Sequence, residues 1–189
     1  MPFDPRAYGE SAAHLFSLDG DGERLMPLVQ SGGGAPDARR EIHARAPGLF
    51  DGAAHPQGAL AGIWLHFSCF DEAHSIAQED LSAEGSYWHA IIHRQEPDSW
   101  NSKYWFRRAG RHAVFPALRD EAADLATRTG AGFRVPPTWD PAAFVDFCEL
   151  AVTQPGSDAE RLALQIQRAE WRLLFDFCAS RPSQGRKSS

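Results

Sequence analysis

The sequence has few of the features that define secreted or membrane proteins. It contains three cysteines in 189 residues, widely spaced among apolar neighbours, which favours buried free thiols in a reducing compartment over a disulfide framework. The longest apolar run, 59–70, is interrupted by His66 and Ser68 and is too short to span a bilayer. Residues 1–10 lack the basic and apolar regions of a signal peptide. We therefore expect a cytoplasmic protein without a membrane partner.

Positive charge is also scarce. Only two of the 19 basic residues are lysines, and the net charge of −6 argues against general binding to nucleic acid. One segment differs, because residues 94–119 hold six basic and two acidic residues and so carry a net charge of +4. This local cluster predicts either a site for a small anion, such as a carboxylate or a phosphate, or ordinary pairing with the many acids of the chain.

Strand patterns and internal repeats are absent from the sequence. Apolar residues instead recur at helical spacing between turn signals, over a chain long enough to bury one core. We predict an all-α, single-domain helical bundle of about seven or eight helices over residues 21–180. Residues 1–20 mix proline, glycine and small side chains and are expected to be loosely ordered, and residues 181–189 are expected to form a disordered tail.

The densest group of reactive and aromatic side chains lies in residues 86–112, with the sequence SYWHAIIHRQEPDSWNSKYWFRRAGRH. If residues 86–95 are helical, His89 and His93 lie one turn apart on one face, and Glu96 follows at the end of the same stripe. Two imidazoles and a carboxylate can bind a divalent metal ion or hold a catalytic proton pair. The alternative is a histidine pair that only stabilises the fold. The metalloprotease motif is excluded, because Ala90 stands where it requires glutamate.

Two other predicted helices supply further candidate ligands. A helix from Pro56 to about Gln78 places His74 three residues after Asp71, and a carboxylate-x-x-His pair is a common way for a bundle helix to offer two ligands. A final helix over 158–179 has a glutamate on its apolar face, where a carboxylate needs an arginine, a histidine or a metal as its partner. The candidate metal ligands are His74, His89, His93, Glu96 and Glu170. A mostly histidine site suits Zn, Fe, Mn or Ni, and the sequence does not choose among these divalent metals.

Basic and aromatic side chains follow the histidines. We expect Asp98 to cap a helix over 99–109 that ends at Gly110, with Trp100 and Tyr104 stacked along one side and Arg108 beyond them. This helix and the residues before it provide the candidate contacts for a small anionic ligand, which are Arg94, Lys103, Tyr104, Arg107 and Arg108.

The same segment resembles a protein family with members in bacteria and fungi. The residues that carry the resemblance are Tyr87-Trp88-His89, His93-Arg94, Glu96-x-Asp98, Asn101, Tyr104 to Arg108 and, in the final helix, Glu170-Trp171 with Leu174-Phe175. The resemblance extends over half of the chain. It implies no known activity, cofactor or substrate, and so it does not choose among the functions considered next.

Three functions fit these patterns. The first is a metal-dependent enzyme in which a histidine-bound ion activates water and Arg94 or Arg107 holds the anionic end of a small substrate. The second is a metal-free protein that binds a small anion between arginine and aromatic side chains. The third is a structural or interaction domain in which Glu170 pairs with an arginine. We favour the first, because three weak motifs on three helices converge on one kind of site. The sequence gives no oligomeric state.

Overall fold

The structure is a computed structural model that describes residues 3–30, 34 and 36–182. Within these ranges it is all-helical, with a short 3-10 helix and nine α-helices and no strands, which confirms the predicted fold class and slightly exceeds the predicted number of helices. The elements are the 3-10 helix Pro5–Tyr8, α1 (Glu10–Ser17), α2 (Pro36–Arg45), α3 (Pro56–His66), α4 (Phe70–Glu79), α5 (Ala83–Gln95), α6 (Ser99–Ala109), α7 (Phe115–Thr129), α8 (Pro141–Val152) and α9 (Asp158–Ala179). Residues 183–189 of the predicted tail lie outside the described residues.

The N-terminal segment is helical where we expected loose order. The 3-10 helix and α1 occupy most of residues 5–17, and one face of α1 is buried. Phe16 on that face packs edge-on against Trp171 and Phe175 of α9, with ring centroids 5.7 and 5.4 Å away. Local composition does not reveal such a long-range aromatic contact, which is why the sequence indicated a loose segment.

Side-chain caps define several helix starts, including the one predicted at Asp98. Asp98 accepts a hydrogen bond from the Asn101 amide at the start of α6, and Asp140 accepts one from the Ala142 amide at the start of α8. The α9 helix has the predicted bounds. The α5 helix begins before residue 86, where the predicted helix starts, because Ser82 is its N-cap.

The helix predicted from Pro56 to Gln78 is two helices. Ser68 has a φ of 58°, a left-handed conformation that interrupts an α-helix, so α3 ends before it and α4 begins after it. The two helices pack against each other, and α4 also packs against α5. This second contact brings His74 to the face of α5 that carries the other two histidines.

The core is built around α9, the longest described helix, with α7, α3 and α8 packed against it. A Cβ at Gly62 of α3 would lie 2.8 Å from the ring of Trp88 and 3.0 Å from that of Phe175, so glycine is needed for this close approach. The three cysteines are buried and unpaired, as predicted. Among the described helices, none combines the length and apolar character needed to cross a bilayer.

Candidate metal centre

Three of the predicted ligands meet where α4 packs against α5. His74 lies on α4, and His89 and His93 lie one turn apart on α5. The Nε2 atoms of His74 and His89 are 3.0 Å apart, and one ligand atom from each of the three rings lies within 4.8 Å of the others. Tetrahedral zinc with Zn–N bonds of ~2.0 Å would place its nitrogens roughly 3.3 Å apart. The cluster is therefore close enough to hold one metal ion after small side-chain rotations.

Burial favours the neutral form of two of the three imidazoles, His89 and His93. His89 is 4% exposed, while His74 and His93 are half-buried. Burial lowers the pKa of His89 to about 4, and the neighbouring His74 and His93 add to the effect. Burial also lowers the pKa of His93, although the adjacent Glu96 carboxylate opposes this shift. Because a metal binds the neutral form of imidazole, low pKa values leave the ring lone pairs available at neutral pH.

Aromatic stacking and a carboxylate hold the rings in place. Trp105 of α6 stacks on His89 with ring centroids 4.1 Å apart, and His89 stacks on His93 at 4.7 Å. Glu96 Oε2 lies 3.0 Å from Nδ1 of His93, although the contact is not aligned as a hydrogen bond. A carboxylate at the second ring nitrogen is the usual device that orients a metal-binding histidine. Nδ1 of His89 is buried and has no hydrogen-bond partner among the described residues.

Glu170, another predicted ligand, lies away from the histidines. Its carboxylate is fully buried, with Oε2 accepting a hydrogen bond from Arg94 Nη2 at 2.5 Å and Oε1 accepting one from the Tyr87 hydroxyl at 3.1 Å. Tyr87 and Arg94 are seven residues apart and share the face of α5 opposite to His89 and His93. The partner that the buried carboxylate needs is thus an arginine. Glu96 contacts only one of the three rings and is not part of the three-residue cluster.

The five predicted contacts for an anionic ligand do not form one pocket. Arg94 is in the core with Glu170, and Lys103 pairs with Asp146 of α8. Arg107 lies on the opposite side of α6 from Trp105. The two remaining residues of the set are Tyr104 and Arg108. Tyr104 stacks on Trp100, as predicted. The guanidinium of Arg108 lies 5.0 Å from the centre of the Trp105 ring. Arg108 is thus the member of the set that shares a contact residue with the histidine cluster.

Trp105 is the residue at this centre whose role was missed. The sequence predicts aromatic side chains beside a metal-free anion site and does not indicate that one of them contacts a metal ligand. Its contact with His89 joins α6 to α5 across the turn at Pro97, so no helical spacing indicates it. The three residues between α5 and α6, 96–98, set this turn, and the cap at Asp98 is the local signal of it.

No protein-family model, curated protein or solved structure matches the chain. We therefore infer function from the chemistry that the cluster can support. Three imidazoles that converge on one point are a common ligand set for Zn²⁺ and also serve Fe, Mn and Ni. With three protein ligands, a tetrahedral ion retains one position for water or substrate.

Proposed function

We propose that the protein binds one divalent transition-metal ion through His74, His89 and His93, and that Zn²⁺ is the ion that fits best. The observation that carries this proposal is the 3.0 Å separation of two imidazole Nε2 atoms with a third imidazole beside them. Zinc suits three neutral nitrogen ligands because it imposes no geometry of its own and accepts four-coordinate sites. Iron, manganese and nickel are the other ions that such a ligand set accepts.

The ion serves a metal-dependent enzyme that acts on a small anionic substrate. A zinc ion with three histidine ligands lowers the pKa of its bound water to near 7, which supplies a nucleophilic hydroxide at neutral pH. Arg108, held over the Trp105 ring next to His89, is placed to receive the anionic end of the substrate. Among the predicted basic contacts, Arg108 replaces Arg94, whose guanidinium is engaged by Glu170.

Metal content tests the first part of the proposal. The purified protein is dialysed against an equimolar mixture of Zn²⁺, Fe²⁺, Mn²⁺ and Ni²⁺ under anaerobic conditions, and its metals are quantified by mass spectrometry. We expect one equivalent of metal, mostly zinc. His93→Ala should retain less than about a tenth of it, because a two-histidine site binds far more weakly. His14→Ala, which removes a half-exposed histidine of α1, is the matched control and should retain one equivalent.

Two outcomes contradict the metal site. One is a wild-type protein that retains no metal and whose melting temperature is unchanged by added metal. The other is a folded His93→Ala protein that retains the full equivalent. His93 is preferred over the buried His89 for this test, because its half-buried side chain is less needed for folding.

Turnover tests the enzymatic part separately. 4-Nitrophenyl phosphate provides a small anionic probe with a hydrolysable bond, and the zinc-loaded protein should cleave it at a rate that chelator abolishes. Arg108→Gln should raise KM about tenfold with little change in kcat, because the arginine binds the anion in both ground and transition states. A fully zinc-loaded protein with no turnover of this probe, or with KM unchanged by Arg108→Gln, would remove the anion-hydrolase reading and leave the metal site standing.

A further inference from the structure

A cavity of about 870 Å³ lies between α6, the start of α7 and the segment that leads into α8. It is on the opposite side of α6 from the metal centre. Lys103, Arg107 and Gly110 line it at helical spacing, whereas Trp105, which stacks on His89, projects from the other face. Its volume falls within the roughly 300–1,000 Å³ typical of small-molecule sites. It is therefore a second, separate candidate site.

Three aromatic side chains form an apolar wall in this cavity. Phe106 and Trp139 are 5% and 6% exposed, and Phe115 is partly buried beside them. Phe106 and Phe115 both pack edge-on against Tyr87, with centroids 5.3 and 5.5 Å away. Since Tyr87 is itself fixed by its bond to Glu170, this wall is held in place before any ligand arrives. A rigid apolar wall suits an aromatic or branched hydrocarbon body.

Two arginines at the rim have no acidic partner among the residues that the structure describes. Lys103 pairs with Asp146, and Arg119 pairs with Asp120. Arg107 and Arg111 have no ion-pair partner within the described part of the chain, and both line the cavity. An exposed arginine alone is ordinary, but two guanidiniums beside an apolar wall can bind an anion whose body covers that wall.

The helix ends at the cavity favour negative charge as well. α7 and α8 both begin there, at Phe115 and Pro141, and a helix N-terminus carries partial positive charge. The Asp140 side chain caps α8, but the residue before α7, Val114, provides no side-chain cap. The C-terminal end of α6 acts in the opposite direction, and Arg107 in its last turn offsets it.

We propose that this cavity binds an organic anion, a carboxylate or phosphate on an aromatic or branched hydrocarbon body, without any metal. The apolar wall takes the body, and Arg107 and Arg111 take the anionic group. Inorganic phosphate alone would not use the wall, and a neutral hydrocarbon would not use the arginines. The charged and apolar parts of the cavity together select a ligand that has both.

Calorimetry with three probes, two of them isosteric, tests this proposal on the full chain in the presence of chelator, which removes any contribution of the metal centre. The probes are 1-naphthoate, its neutral analogue 1-naphthamide, and inorganic phosphate. We expect naphthoate to bind at least about tenfold more tightly than either of the others, since charge-assisted hydrogen bonds add to burial of the ring. Arg107→Gln/Arg111→Gln should weaken naphthoate binding at least about tenfold and leave naphthamide unchanged.

Two further variants keep the test decisive. Arg128→Gln/Arg134→Gln makes the same charge change at exposed positions outside the cavity and should leave naphthoate binding unchanged. Thr138→Trp places a bulky ring at an exposed position of the cavity wall and should abolish binding without affecting the fold. The proposal is overturned by absent binding at millimolar naphthoate, by equal affinity for naphthoate and naphthamide or phosphate, or by equal loss in the two double variants.

Discussion

The Nε2 atoms of His74 and His89 lie 3.0 Å apart, although 15 positions separate the two residues in the chain. Without a metal, this distance requires one ring to donate a hydrogen to the other, because two lone pairs or two N–H groups at this separation repel. With a metal, both nitrogens direct lone pairs to the same ion. Metal binding must therefore move the proton of the donating ring from Nε2 to Nδ1. The same two Nε2 atoms form the hydrogen bond in the metal-free protein and bind the ion in the metal-loaded protein.

Bound zinc should stabilise the folded protein. An ion that binds only the native state raises the free energy of unfolding by about 2.7 kcal/mol at a free concentration 100 times its Kd. We expect urea denaturation to show this gain for the wild type and for His14→Ala, and to show none for His93→Ala. An equal gain in His93→Ala would mean that the zinc binds elsewhere.

The Glu96 carboxylate should tune the affinity for metal. It lies 3.0 Å from His93 Nδ1 and so favours the ring orientation and charge distribution that support binding through Nε2. Glu96→Gln should weaken zinc binding about 10- to 100-fold, as other changes to such outer partners do. Competition with a chromophoric chelator gives the Kd. Glu79→Gln, at the exposed end of α4, is the matched control, and an equal Kd for the two variants would show that Glu96 has no special role.

The buried pair of Arg94 and Glu170 should matter for stability and leave the metal site intact. Glu170→Gln leaves the Arg94 guanidinium buried without its counter-charge, which costs about 3–5 kcal/mol of unfolding free energy. Urea denaturation measures this loss. The double change Arg94→Met/Glu170→Leu should recover much of it, because no charge is left buried. Zinc stoichiometry should remain at one in the double variant, and its loss would return Glu170 to the list of ligands.

Acid should destabilise the protein partly through His66. This ring is 1% exposed, and burial, with smaller effects of Arg24 and Arg172, lowers its pKa from 6.5 to about 3. The unfolded chain therefore binds a proton that the folded chain refuses between these two values. The stability from this group is fully present above pH 6.5 and is lost as pH falls, by about 1.4 kcal/mol per pH unit.

His66→Phe removes this pH-dependent contribution to the free energy of unfolding. The variant keeps an aromatic ring beside those of Phe16, Phe67 and Trp171. Between pH 6.5 and 5.0, the wild type should lose about 2 kcal/mol more unfolding free energy than the variant. Urea denaturation at the two pH values gives the comparison. Equal losses in both proteins would show that His66 accepts a proton in the folded state.

Much of the helical frame could be predicted from local signals. Asp98 and Gly110 have short-range roles as a cap and a stop, and the structure uses them as predicted. Ser68 gives no such signal, because the left-handed conformation that it adopts is not a preference of serine. His74 was predicted as a ligand through its spacing from Asp71. The structure places Asp71 at the exposed surface. The Asp71–His74 spacing that predicts His74 as a ligand therefore has no role in the site.

More of the metal centre than of the cavity could be predicted from sequence patterns. The i, i+4 spacing of His89 and His93 indicates a shared face directly, whatever that face contacts. For Glu170, the sequence could indicate that a partner is required, but the choice of Arg94 depends on how α5 and α9 pack. The cavity combines α6, α7 and the segment before α8, and its only advance signal was the excess of positive charge in residues 94–119.

X-ray absorption at the zinc edge tests the metal centre most directly, because it counts the ligands and measures their distances in solution. For the zinc-loaded protein we predict three histidine imidazoles and one oxygen at about 2.0–2.1 Å from the metal. His93→Ala should lose one imidazole or fail to retain zinc. A wild-type spectrum with only oxygen ligands or fewer than three histidines, or a spectrum unchanged in His93→Ala, would contradict the account.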